Sequence, residues 1–261
     1  MRKVIVKLVG GLGNQLFQYS AANFLGNGLK AKIYYDISFY SKSHPNTTPR
    51  KYELFNFSSI DFPKTTRPNG CITLKDYNFS PQNCFSTIES LKQNDRDIYL
   101  DGYFQNYLFS QIVPPKFIPP DPREGVAIHI RRGDYVSNLH ANCFHGTLPL
   151  DYYKRGINSA PEANKIHIFS DDIEWCQQNV SFKDKELVFE TPSDAHADLI
   201  KMSKFKSLII ANSSFSWWAA RLAEFRDQKS FIVAPGHSLW YNSPSDITKY
   251  LYSDKWIKIE R

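Results

Sequence analysis

The N-terminal residues alternate between short apolar runs and one longer segment with helical periodicity. Residues 2–9 form an apolar run rich in β-branched side chains that ends in a glycine-rich turn. A helical spacing of apolar positions follows at 14–29, and a second apolar run ends at Asp36. This order predicts a strand, a glycine turn, a helix and a second strand. Between residues 37 and 120, only one further strand, at 98–104, is predicted.

Beyond a cluster of prolines, the alternation of elements becomes regular. Five prolines lie between residues 114 and 122, which indicates an extended linker, and we expect the domain boundary between 118 and 119. Downstream, apolar runs at 126–130, 165–169, 186–190, 207–211 and 231–234 alternate with helical segments near 150–159, 172–178, 194–203 and 215–225. Repeated strand–helix units predict an α/β protein with parallel sheets that are covered by helices on both faces.

Length and composition limit the classes of protein to which the chain can belong. Its 261 residues are 42% hydrophobic and 22% charged, which is typical of one or two globular domains. No run approaches the roughly 18 apolar residues of a membrane span. The N-terminal stretch does not resemble a signal peptide, because Lys7 interrupts it and no small-residue cleavage site follows. We therefore expect a cytoplasmic protein whose four cysteines are free thiols.

The excess of positive charge lies in the first half of the chain. Residues 1–120 contain 14 Lys and Arg against 8 Asp and Glu, whereas residues 121–261 contain 18 of each class. The basic residues are scattered singly, which argues against a nucleic-acid partner. Two interpretations stay open. One is a solvated basic surface, and the other is peripheral contact with the inner face of a membrane or with an acidic, lipid-linked substrate.

Polar side chains follow three of the predicted strands at the point where each strand ends. Arg131 to Asp134 follow the first of these strands, Ser170 to Asp172 follow the second, and 212–216 follow a third and lead into a helix. In an open α/β sheet, ligands bind outside the carboxyl ends of the strands. The three segments therefore form the candidate site.

Each segment offers a chemistry suited to a nucleoside diphosphate. The planar guanidinium of Arg131 or Arg132 suits a diphosphate, and the amides at the helix start beside Ser213–Ser214 form an anion site. Asp171 or Asp172 can accept the paired N–H groups on the edge of guanine. Each segment taken alone is also explained structurally, as a surface arginine pair or a helix cap. Their coincidence at consecutive strand ends favours a guanosine diphosphate site.

The N-terminal glycine turn supports a rival hypothesis. A glycine-rich turn after a strand, with Asp36 ending the second strand, is similar to the fingerprint of dinucleotide-binding domains. Leu16 occupies the position of the third glycine, which argues against that fingerprint. The polar Asn14 and Gln15 would alternatively bring main-chain amides and a carboxamide to a phosphate.

Metal-ligand patterns are weak in this sequence. Residues 95–97 have the D-x-D spacing found in some metal-dependent enzymes, but they precede a predicted strand and are better explained as a turn cap. His140 and His145 lie near the arginine pair without a cysteine or carboxylate at a ligand spacing. We expect no metal site.

Five blocks of the sequence, taken together, closely resemble the bacterial α-1,2-fucosyltransferases of glycosyltransferase family 11. They are GGLGNQLFQY (10–19), GYFQN (102–106), HIRRGDY (129–135), FSDD (169–172) and IIANSSFSWWAA (209–220). The combination of HIRRGDY with NSSFSWW is the specific part of this resemblance, and the blocks run in order over most of the chain.

The resemblance implies a GT-B-type fold of two Rossmann-like domains. Residues 1–118 would be the N-terminal acceptor-side domain, and residues 119–261 the C-terminal GDP-fucose-binding domain. The implied activity is that of an inverting galactoside α-1,2-fucosyltransferase. Such an enzyme moves L-fucose from GDP-β-L-fucose to the 2-hydroxyl of a galactose-type sugar in a surface glycan or oligosaccharide, free or lipid-linked. Neither a metal nor another cofactor is expected.

The resemblance also assigns roles to individual residues. Related fucosyltransferases place the arginine that corresponds to Arg131 on the β-phosphate of the donor. The further donor-binding residues that it implies are Asn14, His129, Asp171 or Asp172, Ser213, Ser214 and Phe215. Arg132 is a donor-binding candidate from the strand-end pattern. Asp134 is the carboxylate nearest to the arginines in sequence, and it is a candidate either for catalysis or for orienting Arg131. As strand neighbours, Arg131 and Arg132 are expected to point to opposite faces.

Two alternatives to the fucosyltransferase stay open on the sequence alone. One is an NAD-type oxidoreductase that uses the N-terminal glycine turn, and the other is a non-catalytic protein that binds a glycan or a nucleotide. The acceptor, the general base and the oligomeric state have no legible pattern in the sequence.

Overall fold

The computed structural model describes residues 1–42, 44, 48–57, 63–111, 121–160, 164–241 and 246–261. The chain divides into two compact units. The first comprises Met1–Pro114 and Tyr250–Tyr252, and the second comprises Pro115–Lys249 and Ser253–Arg261. The predicted boundary between 118 and 119, and most of the proline cluster, lie outside the described residues, so the position of that boundary stays a prediction.

The first unit is built on a four-stranded parallel sheet. Its strands are β1 (Lys3–Lys7), β2 (Lys32–Asp36), β3 (Ile72–Leu74) and β4 (Ile98–Leu100), in the order β2-β1-β4-β3. Helix α1 (Leu12–Leu29) lies between β1 and β2 in the chain, and α2 (Cys84–Lys92) lies between β3 and β4. The predicted opening of strand, turn, helix and strand is confirmed. The strand predicted at 98–104 is shorter, since β4 ends at Leu100.

The fully buried Gln18 side chain of α1 connects two strand ends at the carboxyl edge of this sheet. Gln18 accepts a hydrogen bond from the Val9 amide at 3.0 Å and donates one to the Gly102 carbonyl at 3.1 Å. Because Val9 follows β1 and Gly102 follows β4, one carboxamide connects the ends of neighbouring strands. Buried polar groups are retained in folded proteins where they are bonded in this way.

The second unit is built on a six-stranded parallel sheet in the order β10-β9-β8-β5-β6-β7. Its strands are β5 (Arg123–Ile130), β6 (Lys165–Ser170), β7 (Glu186–Phe189), β8 (Phe205–Ile209), β9 (Phe231–Pro235) and β10 (Ile257–Ile259). Numbered within the unit, this order is that of a Rossmann fold, with the switch point between β5 and β8. The predicted α/β fold class, with two domains that are each built on a parallel sheet, is confirmed.

Helices cover both faces of the second sheet. They are α3 (Gly133–Ser137), α4 (Leu139–Phe144), α5 (Leu150–Ser159), α6 (Ile173–Asn179), α7 (Ala195–Ser203), α8 (Ser214–Arg226) and α9 (His237–Trp240). Side chains of β5 alternate between the two faces. Ile128 and Ile130 belong to one core cluster with Tyr152 of α5, whereas His129 packs against Phe215 of α8. These two groups of contacts define an α5 layer and an α8 layer.

Several individual expectations are confirmed. Trp217 and Trp218, in the block NSSFSWW, are core residues with exposures of 0% and 1%. All four cysteines are free thiols. In the part of the chain that the structure describes, no helix combines the length and the apolarity needed to cross a membrane.

Candidate functional site

The candidate site lies at the carboxyl ends of β5 and β8, where the strand order of the second sheet reverses. The chain departs on opposite sides of the sheet at such a switch point, which leaves a crevice for a ligand. Arg131 follows β5 directly, Asp171 follows β6, and Ser213 precedes α8. The structure therefore brings the three predicted strand-end segments to one edge of one sheet.

Arg131 is clamped between two carboxylates at this edge. Its Nη2 donates to Asp134, and its Nη1 lies 2.7 Å from Asp171 Oδ2. The side chain is only 16% exposed, and Nε is buried without a hydrogen-bond partner among the described residues. Burial lowers the pKa of Arg131, but the two carboxylates outweigh it, and the pKa is raised. The guanidinium is therefore charged and fixed in position, with one donor still unused.

Gly133 allows this arrangement, because a side chain there would collide with Asp171. A Cβ atom on Gly133 would lie 2.2 Å from Asp171 Oδ2 and 2.9 Å from its Cγ. The glycine that follows the two arginines is thus required for the close approach of the β5 and β6 ends, and not for a left-handed backbone.

Arg132 has a different environment from Arg131. Its Nε donates to Asp172 Oδ2 at 3.0 Å, and its guanidinium stacks 3.6 Å above the Trp175 ring. The expectation that the two arginines behave as strand neighbours is wrong, because β5 ends at Ile130 and Arg132 has non-extended backbone angles. Both side chains contact carboxylates of the β6 end, and only Arg131 contacts Asp134.

Asp171 and Asp172 are both occupied by contacts within the protein. Asp171 Oδ1 accepts a hydrogen bond from the Arg132 amide at 2.8 Å, and Asp171 Oδ2 pairs with Arg131 Nη1. Asp172 pairs with Arg132 and caps α6 by accepting from the Trp175 amide at 3.3 Å. The arrangement gives both carboxylates a clear role in positioning arginines. Their role in recognising guanine stays a prediction.

His129 and Phe215 meet on the α8 layer of the same edge, with ring centroids 5.2 Å apart. His129 is 4% exposed, and its Nδ1 has no hydrogen-bond partner among the described residues. Burial, with the charge of Arg131 as a second cause, lowers the pKa of His129 to about 3. The imidazole is therefore neutral at pH 7 and keeps one ring nitrogen for a ligand.

The start of α8 lies beside these residues. Ser213 is the N-cap position, but its side chain makes no capping hydrogen bond, and Ser214 and Phe215 are the first two helical residues. The first amides of a helix have no intrahelical acceptor, and the helix dipole favours an anion there. The helix start, His129 and Arg131 thus combine free donors with positive charge.

A segment between β5 and α5 completes this edge through contacts that the sequence pattern does not reveal. Tyr135 Oη donates to the Asn212 carbonyl at 3.0 Å, and its ring stacks on His145 at 4.6 Å. Asn212 is 1% exposed, and its Nδ2 lies within hydrogen-bond range of the His145, Gly146 and Trp240 carbonyls. The partners are separated by 28 to 77 positions in sequence, so no local pattern signals them.

Asn14 belongs to the first unit, at the carboxyl edge of β1. Its Oδ1 accepts a hydrogen bond from Gln105 Nε2 at 2.8 Å. Of the two polar side chains at this turn, that of Gln15 is used within the protein. Gln15 is fully buried, donates to the Gly10 and Lys51 carbonyls, and accepts from the Glu53 amide.

Asp36, the carboxylate on which the dinucleotide alternative depends, is also used internally. It is 4% exposed and accepts hydrogen bonds from Tyr99 Oη at 2.6 Å and from the Ser38 amide at 2.9 Å. Among the residues with a described position, no cluster of three or more His, Cys, Asp or Glu side chains is arranged to hold a metal ion.

The fold and this edge define an α/β protein with a Rossmann-like unit whose switch point presents an arginine between carboxylates. The sequence profile of glycosyl transferase family 11 matches residues 117–260, more than half of the chain. The protein belongs to this family and is a glycosyltransferase, which sets aside the oxidoreductase alternative.

Two similar proteins from Escherichia coli extend the comparison over the whole chain. The O-antigen biosynthesis glycosyltransferase WbnK is 29% identical over 97% of this chain and 99% of its own length. An alpha-1,2-colitosyltransferase is 28% identical over the full length of both proteins. The solved structure of the fucosyltransferase NodZ with GDP matches at a TM-score of 0.43 and 15% identity, covering 85% of this chain and 92% of that chain.

Proposed function

We propose that the protein transfers L-fucose from GDP-β-L-fucose to the 2-hydroxyl of a galactose-type sugar, with inversion at the anomeric carbon. The observation that carries this proposal is Arg131, a buried and charged guanidinium fixed at the switch point of the second sheet. The α-1,2 linkage is supported by the similar α-1,2-colitosyltransferase, whose chain aligns with this one from end to end.

In this proposal the diphosphate lies between Arg131 and the start of α8. The unused Arg131 Nε and the first amides of α8 donate to phosphate oxygens. The guanidinium carries a full positive charge, and the start of α8 is the positive end of the helix dipole. Ser213, Ser214 and Phe215 supply the main-chain part of the site. Asp134 and Asp171 hold the guanidinium, so its geometry is fixed before the donor arrives.

The guanosine moiety occupies the α8 layer beside His129. A neutral imidazole with an unpartnered Nδ1 can donate to or accept from a polar edge of the nucleoside, and Phe215 offers an adjacent ring. Asp171 and Asp172 act in this proposal by orienting Arg131 and Arg132, because the protein itself occupies their oxygens.

The reaction is a displacement at the anomeric carbon of fucose. The acceptor oxygen forms a bond to C1 while the bond from C1 to the β-phosphate oxygen breaks, and GDP leaves with that electron pair. The acceptor proton is lost to a base or to water. Negative charge accumulates on the leaving diphosphate, and a preorganised cation such as Arg131 stabilises it more in the transition state than in the ground state.

The acceptor side is assigned to the first unit. Asn14, which accepts a hydrogen bond from Gln105 beside the glycine turn of this unit, stays a predicted donor-binding residue. We propose a glycan or lipid-linked oligosaccharide as the acceptor and a cytoplasmic site of action, with peripheral contact between the basic first half and a membrane surface.

A transfer assay tests this function directly. GDP-fucose is offered with a panel of immobilised glycans, and the product linkage is determined. We expect fucose on the 2-hydroxyl of terminal galactose-type sugars. Neither transfer nor donor hydrolysis over a broad panel would instead favour the non-catalytic binding protein.

Nucleotide selectivity is a first prediction. We expect GDP to raise the Tm more than ADP, UDP or NAD at equal concentration, because ligands that bind only the folded state stabilise it according to their affinity. The measurement is a thermal-shift titration. Equal or greater stabilisation by NAD would contradict the assignment of the switch point to a guanosine diphosphate.

Independence from metal is a second prediction. We expect the transfer rate to be unchanged by EDTA, because Arg131 and the start of α8 supply the charge that a metal ion provides in other transferases. Loss of transfer on chelation, with recovery on addition of Mn²⁺ or Mg²⁺, would show that the phosphate site is misassigned.

A further inference from the structure

A cavity of about 370 Å³ lies in the second unit, apart from the Arg131 clamp and on the α5 layer. Pockets that bury small ligands occupy roughly 300–1,000 Å³, so this one has room for a monosaccharide. The residues that line it are His145, Thr147, Leu148, Pro149, Asp151, Arg155, Leu239 and Arg261. None of them has a role in the function proposed above.

The cavity opens at the same edge of the sheet as the diphosphate site. Asp151 is in the first turn of α5, Leu239 is in the helix that follows β9, and Arg261 follows β10. In a parallel α/β sheet, these positions surround the carboxyl ends of the strands, where ligands bind.

Two ring contacts connect the cavity with Arg131. The guanidinium carbon of Arg131 lies 5.2 Å from the centre of the Tyr135 ring, and that ring stacks on His145 at 4.6 Å with an interplanar angle of 3°. His145 forms one wall of the cavity. The wall of the cavity at His145 is therefore two ring contacts away from the Arg131 guanidinium.

The layers of the sheet separate the two ends of such a ligand. His129 and Phe215 lie on the α8 layer, whereas the cavity lies on the α5 layer. With the diphosphate at the edge between β5 and β8, a nucleoside on the α8 side leaves the α5 side for the group on the other end of the diphosphate.

The walls of the cavity combine paired hydrogen-bonding groups with an apolar surface. Asp151 and Arg155 form an ion pair at 3.0 Å, and Thr147 adds a hydroxyl side chain. His145 Nδ1 is buried without a hydrogen-bond partner among the described residues. Leu148, Pro149 and Leu239 form the apolar part. Vicinal hydroxyls of a sugar can hydrogen-bond to a carboxylate–guanidinium pair, and a methyl group of the sugar can pack against the leucines.

We propose that this cavity binds the glycosyl group of the donor, and that its walls select a 6-deoxyhexose. The ring hydroxyls hydrogen-bond to Asp151 and Arg155, and the C6 methyl group lies against Leu148 and Leu239. This inference rests on the proposed function, because it takes the diphosphate to be held by Arg131. In this proposal Asp151, Arg155 and Leu148 determine which glycosyl group of the donor is accepted.

The first test compares GDP with GDP-fucose as ligands of the Asp151→Asn protein. We expect the Kd of GDP to stay within twofold of wild type and the Kd of GDP-fucose to rise at least tenfold, measured by titration calorimetry. Asp151 is 71% exposed, so the variant is expected to fold. The matched control is Glu186→Gln, which breaks an equally exposed ion pair with Lys165 at 2.8 Å outside the cavity. The control should change neither Kd.

The second test adds one oxygen to the donor. GDP-L-galactose differs from GDP-fucose by a hydroxyl on C6, which the apolar wall has no group to bind. We expect wild type to bind it at least tenfold more weakly than GDP-fucose. Leu148→Asn places an amide on that wall. We expect this variant to reduce the ratio of the Kd of GDP-L-galactose to the Kd of GDP-fucose at least threefold, while the Kd of GDP is unchanged.

The outcomes separate this inference from the function on which it rests. If wild type binds GDP-fucose but Asp151→Asn leaves both affinities unchanged, or raises both equally, the cavity is not the sugar site and the inference is wrong. If wild type binds neither GDP nor GDP-fucose, the proposed function itself fails. A wild-type protein that binds the two donors equally well would refute the role of the apolar wall.

Discussion

Arg131→Lys is expected to lower kcat at least a hundredfold while the protein stays folded. Lysine keeps the positive charge but loses the planar set of donors that spans Asp134, Asp171 and the phosphate. A hundredfold loss corresponds to about 2.7 kcal/mol of transition-state stabilisation, which is typical when one preorganised donor to a developing anion is removed. The measurement is steady-state transfer of fucose, with a circular dichroism spectrum to check the fold.

Arg132→Lys is the matched control for this experiment. Arg132 stacks on Trp175 and pairs with Asp172, away from Asp134, so its replacement is expected to lower kcat much less. A fully active Arg131→Lys protein together with an inactive Arg132→Lys protein would reassign the phosphate contact to Arg132. Full activity in both variants would contradict the assignment of the donor diphosphate to this edge of the sheet.

Acidification is expected to destabilise the protein below pH 6.5 through its buried histidines. An unfolded histidine has a pKa near 6.5, whereas burial lowers the pKa of His129 to about 3 and that of His145 to about 4. Between these values the unfolded chain binds protons that the folded chain does not. The stabilising contribution is therefore complete above pH 6.5 and is lost progressively as the pH falls.

The expected size for His129 alone is about 2 kcal/mol between pH 6.5 and pH 5, since each pH unit contributes about 1.4 kcal/mol. The measurement is urea-induced unfolding at several pH values. His129→Gln should reduce the slope of the free energy of unfolding against pH over this range. His140→Gln, at an exposed position, is the control and should leave the slope unchanged. Equal slopes in all three proteins would contradict the assignment of a buried neutral imidazole at 129.

The strand ends were predictable because a simple rule relates them to one another. Apolar runs locate the parallel strands, and parallel strands align their carboxyl ends, so Arg131, Asp171 and Ser213 could be grouped without any coordinates. The expectation that Arg131 and Arg132 are strand neighbours extended the strand two residues too far, because β5 ends at Ile130. The close approach of Gly133 and Asp171, which lie 38 positions apart in sequence, is not visible in the pattern of apolar residues.

Contacts between distant positions were not predictable from the sequence. Asn212 holds the 145–146 main chain, and Tyr135 bonds back to Asn212, but neither contact leaves a periodic pattern. Between residues 37 and 111 the sequence predicted β4 but not β3, whose three residues are too few to show an alternation of apolar and polar positions.

The assignment of Tyr250–Tyr252 to the first unit has a consequence for synthesis on the ribosome. The Tyr107 amide of that unit donates to the Tyr250 carbonyl at 2.7 Å. Domains generally begin to fold as they emerge, N-terminal part first. The first unit nevertheless obtains its full set of contacts only after residue 252 has been added to the chain, when almost the whole second unit has been translated. A nascent chain stalled at residue 118 would therefore present an N-terminal unit that lacks its last three residues.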